Sequence, residues 1–335
     1  MRIAIDAMGG DRAPGAIVAG AVEAGRKIPS LSAVYLVGDS GQVSRELSKH
    51  ARVPDKVQVK HASESIGMAE APASAIRRKK DSSIGRAVDM IKKGEADAVV
   101  SAGNTGAVVV AAKLKLRAMA GVERPAIAAI MPTLAGPCVL IDAGANPDCS
   151  AGLLAQFAVM GSVYARVILG RPKPVVGLLN IGGEESKGNE ITREAYRLLD
   201  RLDLNFRGNV EGNDLFAGET DVVVCDGFVG NIVLKTTEST ARAIGQWMKY
   251  EFRKSPVRMF GTILLRAALR AMKRRIDPEM YGGAPLLGVN GVAIITHGTS
   301  SSLAIYHAIR VACEAVDQRL NEVIGRELNR VGVAK

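Results

Sequence analysis

Aromatic side chains are scarce in this sequence: they make up 4% of its 335 residues, and tryptophan occurs once. Proteins that bind single-stranded nucleic acid commonly stack its bases on aromatic rings set among basic residues. We therefore expect no nucleic acid partner for the formal net charge of +10; double-stranded nucleic acid, bound through charge alone, is a weaker alternative. The charge points first to an anionic lipid surface, an acidic protein or phosphate-bearing ligands.

Cysteine is also rare, and its four copies carry neither a disulfide nor a zinc signature. They are widely scattered, form no CxxC pair and have no histidines at the spacing of a zinc site. We expect free buried thiols in a reducing cytosol, and neither a metal ion nor another cofactor. The aspartates that follow predicted strands lack a spacing diagnostic of metal ligation and are expected to cap turns: Asp6, Asp11, Asp142 and Asp226.

Long hydrophobic runs and several well-known loop motifs are missing too. No uncharged apolar run approaches the roughly 20 residues that span a bilayer, and the chain opens on a strand-like segment rather than a signal peptide. We expect a cytoplasmic protein with reversible peripheral association with the inner face of the membrane. There is no GxxxxGK[ST] loop, no GxGxxG after the first predicted strand and no GxSxG. P-loop nucleotide hydrolysis, dinucleotide binding and an elbow-type serine nucleophile are therefore unsupported.

Short apolar runs recur along the chain without polar alternation, which is typical of strands buried on both faces of a mostly parallel sheet. They are Ile3–Ile5, Val34–Val37, Val57–Val59, Ala98–Val100, Ala126–Ile130, Val139–Ile141, Val175–Leu179, Val222–Val224 and Val292–Ile295. Helix-length segments lie between many of them: Ala13–Lys27, Ile84–Lys93, Thr105–Arg117, Gly152–Leu169, Glu190–Arg201 and Gly230–Tyr250. This alternation predicts an α/β fold with a doubly wound, mostly parallel sheet, in which a ligand binds beyond the carboxyl ends of the strands.

One stretch interrupts the alternation and is strongly basic. Between Arg253 and Arg275 there are eight basic residues and no acidic one, interleaved with apolar side chains. We predict that residues 252–281 form an amphipathic helical hairpin that projects from a single α/β domain spanning residues 1–335. A basic amphipathic helix is typical of a membrane-surface element or of a docking site for an acidic partner. Packing on its own protein or on a second subunit is the alternative.

Glycine-rich polar loops follow the predicted strands, and most are expected at one end of the sheet. The segment Ser101–Gly106 leads into a predicted helix, whose free backbone amides suit an anion; ordinary N-capping by Asn104 or Thr105 is the alternative. The comparable loops are Asp6–Asp11, Asp142–Pro147, Asn180–Gly188, Asp226–Asn231 and Tyr281–Gly288, the last of which leads to a strand that ends at His297–Ser301. Together they predict a site made of backbone amides, asparagines, one lysine and one histidine.

In their order along the chain, these loops resemble those of the bacterial phosphate acyltransferase (PlsX) family. The resemblance covers most of the chain and rests on Asp6-Ala-Met-Gly-Gly-Asp11, Ser101-Ala-Gly-Asn-Thr-Gly106, Asp142-Ala-Gly-Ala-Asn146, Asn180-Ile-Gly-Gly-Glu-Glu-Ser-Lys-Gly188, Gly227-Phe-Val-Gly-Asn-Ile-Val-Leu-Lys-Thr236 and Tyr281-Gly-Gly-Ala-Pro-Leu-Leu-Gly288. The sequence departs from the family pattern at Ser150, Asn213 and Ser239, where lysine, arginine and glycine are usual.

The resemblance implies transfer of a long-chain acyl group from acyl carrier protein to inorganic phosphate, which gives acyl phosphate for phospholipid synthesis. It implies a homodimer, a fold similar to phosphotransacetylases and isopropylmalate dehydrogenases, and a hairpin that contacts the membrane. Acyl carrier protein is acidic and the membrane is anionic, so either would be attracted by the basic residues; the downstream glycerol-3-phosphate acyltransferase is a further expected contact. The residues expected at this surface are Arg253, Lys254, Arg258, Phe260, Ile263, Leu264, Arg266, Arg270, Lys273 and Arg274.

That reaction gives the loop residues candidate roles. Phosphate is itself an anionic nucleophile, so the site must hold it beside the thioester and stabilise the oxyanion rather than supply a strong base. We expect Lys187 to neutralise phosphate and the developing oxyanion, and Asn231 to donate to the thioester oxygen. His297 is expected to donate to phosphate or assist proton movement, with a structural role in its turn as the alternative. The residues expected to hold phosphate are Ser101, Gly103, Asn104, Thr105, Gly106, Asp142 and Asn146.

Two other functions stay open from the sequence alone. A phosphotransacetylase-like enzyme that uses acyl-coenzyme A would need a similar site, because both donors present a thioester on phosphopantetheine. A noncatalytic membrane scaffold would need only the basic surface. Lys187 and Asn231 beside glycine-rich loops favour an enzyme over a scaffold.

Overall fold

One sheet of eleven strands runs through the described chain, which comprises residues 1–276 and 278–334 of a computed structural model. The side chains at positions 273, 274, 276 and 278 lie outside that description. In chain order the strands are β1 (Arg2–Asp6), β2 (Ala33–Gly38), β3 (Val57–His61), β4 (Ala98–Ser101), β5 (Ala126–Thr133), β6 (Gly136–Ile141), β7 (Val175–Leu179), β8 (Asn205–Val210), β9 (Val222–Val224), β10 (Ala284–Leu287) and β11 (Val292–Ile295). Across the sheet their order is β3-β2-β1-β4-β11-β10-β5-β6-β9-β7-β8.

Helices connect most of these strands. They are α1 (Gly15–Lys27), α2 (Ser40–Leu47), α3 (Pro72–Arg78), α4 (Ser83–Lys92), α5 (Thr105–Lys115), α6 (Ala151–Val167), α7 (Glu190–Asp200), α8 (Gly227–Arg253), α9 (Pro256–Leu264), α10 (Arg266–Ile276), α11 (Ser302–Asp317) and α12 (Leu320–Arg330). Short 3₁₀ turns lie at Asp214–Phe216 and Pro278–Tyr281. All nine predicted strands and all six predicted helices are present, with ends shifted by a few residues.

The sheet contains two parallel blocks that run in opposite directions. Strands β3, β2, β1, β4 and β11 are parallel to one another, and so are β6, β9, β7 and β8. Between the blocks, β10 is antiparallel to both β11 and β5, and β5 is antiparallel to β6. The mostly parallel sheet is confirmed, and the sequence reading missed β8, β10 and the reversal between the blocks.

The reversal matters because it brings loops from both blocks together at mid-sheet. Ala284 of β10 pairs with Ile295, the last residue of β11, and Leu286 pairs with Ile127 of β5. When the pairing of β10 with β5 is extended by two residues, Ala284 is level with Ala129 of β5. The end of β11, which pairs with Ala284, is therefore at that height too. Ile141, the last residue of β6, pairs with Ala128. Although β6 and β11 run in opposite directions, their carboxyl ends therefore lie at nearly the same height.

Helices cover both faces of the sheet and bury the apolar runs. Ile3, Ala4 and Ile5 of β1 are fully buried, as expected for a strand without polar alternation. Strand β3 is different: it lies at the edge, where β2 is its one partner within the described chain, and its residues Gln58, Lys60 and His61 are exposed. The prediction of burial on both faces was wrong for β3, because an edge strand lacks the second neighbour that covers it.

The basic stretch follows the long helix α8, which buries only Gly227 and Gly230 among its 27 residues. Helix α8 ends at Arg253, and Ser255 caps the start of the next helix, α9. The Oγ of Ser255 accepts from the backbone N–H of Arg258 (3.2 Å), and proline occupies the first position of α9. A third helix begins at Arg266. In the described ranges, none of the helices combines the length and the apolar character needed to cross a bilayer.

Candidate active-site cleft

A large cleft opens where the two strand blocks meet, with a volume of about 2520 Å³. Its walls come from the start of α5, strand β5, helix α8 and the loop after β11. Residues of α9 and α10 continue the wall on one side. The near-equal heights of the ends of β6 and β11 explain why loops from opposite blocks share this space.

Helix α8 directs one polar face into the cleft. Asn231, Lys235, Glu238 and Arg242 all line it and are spaced by four, three and four residues, which places them on one side of a helix. Asp226 starts the helix by accepting from the Val229 backbone N–H (2.8 Å). This capping role of Asp226 was predicted from the sequence.

Asn231 sits over the loop that follows β6. A Cβ on Gly144 would lie 3.4 Å from Cβ of Asn231, and the φ of Gly144 is +134°. Glycine alone adopts that φ without strain. A Cβ on Gly230 would lie 1.9 Å from the backbone oxygen of Asp142, so the helix and the loop touch through backbone. The close approach fixes the position of Asn231 in the cleft.

His297 lies in the cleft wall directly after β11. The backbone N–H of Thr299 donates to its Nδ1 (3.2 Å), and Oγ1 of Thr299 is 2.8 Å from the same nitrogen. Because a backbone N–H can only donate, Nδ1 is an acceptor and the proton of the neutral ring is on Nε2. Nε2 faces Oε2 of Glu238 at 3.8 Å. His297 therefore closes its own turn, which is the structural alternative, and also presents its Nε2–H to the cleft. Its contact with phosphate stays a prediction.

The residues predicted to hold phosphate after β4 divide into two groups. Ser101 is buried, donates to Oδ2 of Asp6 (2.8 Å) and accepts from the Gly103 backbone N–H (3.0 Å). Asn104 caps α5, because its Oδ1 accepts from the Ala107 backbone N–H (3.1 Å). Its Nδ2 donates to backbone oxygens of the loop that precedes α3. These side chains are occupied within the protein. Only Thr105 and Gly106 of this group line the cleft.

Asp142 and Asn146 form a buried hydrogen-bonded bracket beside the cleft. The Asp142 carboxylate accepts from the backbone N–H groups of Ile127, Gly144, Ala145 and Asn146, and from Nδ2 of Asn146. Burial raises the pKa of Asp142, against these hydrogen bonds, which lower it. Oδ1 of Asn146 accepts from Nζ of Lys113 (3.2 Å), and burial lowers the pKa of that lysine. The bracket shapes the loop Ala143–Gly144, which lines the cleft.

Lys187 is not among the described residues that line the cleft. It lies in the loop after β7, with its side chain 47% exposed and Nζ 3.8 Å from Oε1 of Glu184. Its backbone oxygen accepts from Nδ2 of Asn180 (3.2 Å). The structure therefore brings Asn231 and His297 to one cleft and places Lys187 outside it.

The basic stretch has less free charge than its sequence indicates. Glu251 lies just before it and pairs with Lys254 (2.5 Å) and Arg258 (2.6 Å). The apolar side chains between the charges are exposed: Phe260 by 63%, Ile263 by 67% and Leu264 by 72%. Arg253, Phe260, Ile263 and Arg266 also line the cleft, whereas Arg270 does not. The side chains of Lys273 and Arg274 lie outside the described residues.

The cleft also contains residues that sequence reasoning missed. Of the described lining residues, two are acidic, Glu238 and Glu279, and seven are basic: Arg12, Lys235, Arg242, Lys249, Arg253, Arg266 and Arg275. The signal for Lys235, Glu238 and Arg242 was present, because their spacing from Asn231 is that of one helical face. For Arg12 the sequence holds no comparable signal.

The fold is similar to that of solved structures. A phosphotransacetylase from Streptococcus pyogenes matches with a TM-score of 0.62 at 20% identity, over 95% of this chain and 94% of that one. At this identity the match shows the fold alone. It confirms the α/β class with a large, mostly parallel sheet that was predicted from the sequence.

Sequence relatives extend over the full chain. A family model described as "Fatty acid synthesis protein" matches residues 1–323. A phosphate acyltransferase from Desulfitobacterium hafniense (strain DSM 10664 / DCB-2) is 50% identical over 100% of both chains. One from Geobacter sulfurreducens is 47% identical over 98% of this chain and 94% of the relative. The chain therefore belongs to the phosphate acyltransferase family, as the order of its loops indicated.

Proposed function

We propose that this protein transfers a long-chain acyl group from acyl carrier protein to inorganic phosphate and releases acyl phosphate for phospholipid synthesis. The observation that carries the proposal is the lining of the cleft, which has a polar part around Lys235, Glu238 and His297 and many apolar side chains from β5, α8 and α9. Such a cleft accepts a phosphate at one part and an acyl chain at the other. Membership of the phosphate acyltransferase family supports the same reaction.

In the polar part, phosphate would lie among Lys235, Asn231, His297 and the start of α5. Thr105 and Gly106 begin that helix and line the cleft, where helix amides and positive dipole favour an anion. A phosphate oxygen attacks the thioester carbon, which forms a C–O bond. The C–S bond then breaks, the thiolate leaves, and the proton of the phosphate passes to the thiolate or to water.

Asn231 is positioned to donate to the oxyanion of the tetrahedral intermediate. It is exposed to the cleft at the close contact between α8 and the Gly144 loop. A preorganised donor of this kind stabilises charge that develops only in the transition state. Lys187 lies outside the cleft, with its Nζ 3.8 Å from Oε1 of Glu184. Its proposed role in neutralising charge therefore requires its glycine-rich loop to move towards the bound phosphate.

The apolar part suits an acyl chain. Side chains of β5, of the turn after β5 and of α8 line it, including Ile130, Met131, Leu134, Leu234, Ile244 and Met248. Burial of methylene groups stabilises a bound chain by about 0.8 kcal/mol for each CH₂ removed from water. The wall continues into Met259 and Phe260 of α9, so the channel ends at the helices that carry the basic residues.

Those helices, α8 to α10, would contact the partners. Acyl carrier protein and the inner membrane surface are both anionic, so the exposed basic residues attract either one. Exposed apolar side chains of α9 would insert at the level of the lipid headgroups. We propose reversible peripheral association of a cytoplasmic protein, and contact there with the downstream glycerol-3-phosphate acyltransferase.

A homodimer is also part of the proposal. Phe228, Trp247 and Tyr250 of α8 are 62%, 67% and 65% exposed and do not line the cleft. Exposed aromatic residues on one helix are typical of a surface that a second subunit covers.

The test is phosphate-dependent formation of acyl phosphate from palmitoyl-acyl carrier protein, with palmitoyl-coenzyme A as the parallel donor. We expect turnover that requires phosphate and prefers the carrier protein. Preference for coenzyme A would favour the phosphotransacetylase-like alternative. No turnover with either donor from folded protein would contradict the proposal and favour the membrane scaffold.

A further inference from the structure

The proposed acyl transfer assigns no role to Glu238, yet its carboxylate lies in the polar part of the cleft. It is 19% exposed and faces two potential cations. Nζ of Lys235 is 3.5 Å from its Oε2, and Nε2 of His297 is 3.8 Å from the same oxygen. A carboxylate repels an anionic substrate, so its presence in a phosphate site requires a specific reason.

The tautomer of His297 supplies part of that reason. Since Nδ1 accepts from the Thr299 backbone N–H (3.2 Å), the Nε2–H points into the space beside Glu238. At 3.8 Å the two groups are too far apart for a hydrogen bond with each other. The cleft therefore presents a donor and an acceptor side by side, and each has capacity left for a ligand.

Two neighbouring oxygens of one ligand match this pair if one oxygen accepts and the other carries a hydrogen. An ionised carboxylate is an acceptor only, so it requires a hydrogen from the ligand. Inorganic phosphate carries at least one hydrogen near neutral pH. Sulfate has the same shape and charge but carries none, and would place an unprotonated oxygen against the Glu238 carboxylate.

We propose that Glu238 is the residue that makes the cleft select protonated phosphate and reject sulfate. His297 donates to one phosphate oxygen, the neighbouring P–OH donates to Glu238, and Lys235 supplies the compensating charge. Rejection of an unwanted ligand by placing like charge against it is a general route to specificity. The inference rests on phosphate being the acyl acceptor, because it names how that acceptor is recognised.

The experiment is calorimetric titration of the full-length protein with inorganic phosphate and, separately, with sulfate. For the wild type we expect phosphate to bind about 10- to 100-fold more tightly than sulfate, the range of one charge-assisted hydrogen bond. In Glu238→Gln the neutral amide can donate to sulfate, so the two affinities should come within a few-fold of each other. Glu219→Gln is the matched control, since Glu219 pairs with Arg207 outside the cleft and should leave the preference intact.

A second titration needs no substitution. Arsenate carries a hydrogen near neutral pH as phosphate does, so it should bind the wild type like phosphate and unlike sulfate. Equal binding of sulfate and phosphate by the wild type, no binding of either anion, or an unchanged preference in Glu238→Gln would overturn the inference. Failure of the acyl-transfer assay would contradict the proposed function instead, and the anion titrations do not depend on that assay.

Discussion

Among single residues, the cleft depends on which side chains the turn of a helix directs inward. The sequence indicated Asn231 and His297, because both lie in glycine-rich segments that follow predicted strands, and the structure places both at the cleft. It did not identify Lys235 or Glu238, because a charged residue about two or three turns into a helix is usually interpreted as part of a solvated face. Ser101 and Asn104 fit a phosphate loop equally well in sequence, but hydrogen bonds within the protein occupy them.

Lys187 and Lys235 are the two lysines proposed to neutralise the charge of phosphate, and substitution of each distinguishes their roles. If Lys187 carries the proposed role, Lys187→Ala should lower turnover by about 100- to 1000-fold, the usual effect of losing one oxyanion-stabilising group. Lys235→Ala should mainly raise the KM for phosphate, because Lys235 lines the cleft. Steady-state kinetics with varied phosphate measures both effects.

Lys173→Ala is the control for these lysines, because Lys173 is exposed outside the cleft. A loss below tenfold in Lys187→Ala would remove Lys187 from the mechanism and leave Lys235 as the phosphate cation.

Asp6 makes a residue-level prediction about stability. It is 3% exposed, and burial raises its pKa above the ordinary value of 3.8. Between that value and the folded-state pKa the folded protein holds a proton that the unfolded chain has lost, so the free energy of unfolding falls as pH rises through this window. Asp6→Asn has no such proton, and urea unfolding from pH 4 upward should show a shallower fall. An equal slope in both proteins would mean that Asp6 does not titrate differently on folding.

At the scale of elements, strands were predicted better than their directions. Apolar runs such as Ile3–Ile5 identify strands because burial on both faces removes polar alternation. The direction of each strand depends on long-range pairing, so the reversal from β11 through β10 and β5 to β6 has no local signature. In the basic stretch, α8 ends at Arg253 and two further helices, α9 and α10, follow.

Helix α9 carries the prediction about membranes. Val257 and Leu264 are 81% and 72% exposed, lie seven residues apart on one helical face and do not line the cleft. Val257→Asp combined with Leu264→Asp should therefore weaken co-sedimentation with phosphatidylglycerol vesicles through lost apolar insertion and added negative charge.

The matched control for α9 is Leu114→Asp combined with Ile191→Asp, which adds the same charge at exposed apolar sites on α5 and α7. Undiminished vesicle binding by the α9 variant, or equal loss in the control, would show that α9 does not enter the lipid surface.

At the scale of the whole molecule, the single sheet and its reversal determine where chemistry is possible. Two parallel blocks end at nearly one height, and the loops of both reach the same cleft. The one-domain reading of residues 1–335 and the projection of residues 252–281 stay predictions. Both predictions concern the chain as a whole. The evidence for them in the sequence is the point at Phe252 where the alternation of strands and helices is interrupted.

Assembly is the second prediction for the whole molecule. The chain should sediment as a dimer, at twice its mass of 35.3 kDa, because α8 exposes Phe228, Trp247 and Tyr250. Trp247→Glu would bury a charge at that contact and should shift sedimentation equilibrium toward monomer. A dimer of undiminished strength in Trp247→Glu, or a monomeric wild type at micromolar concentration, would place the contact elsewhere or exclude it.

The most direct test of the cleft as the active site is the turnover of Asn231→Ala with palmitoyl-acyl carrier protein and phosphate. Asn205→Ala is the matched control, since Asn205 lies on β8 and donates to the Lys173 backbone oxygen (3.3 Å) outside the cleft. We predict that Asn231→Ala loses about 100- to 1000-fold in kcat while its unfolding midpoint and the activity of Asn205→Ala stay near the wild type. Turnover of Asn231→Ala within tenfold of the wild type would contradict the account, because the oxyanion would then form elsewhere.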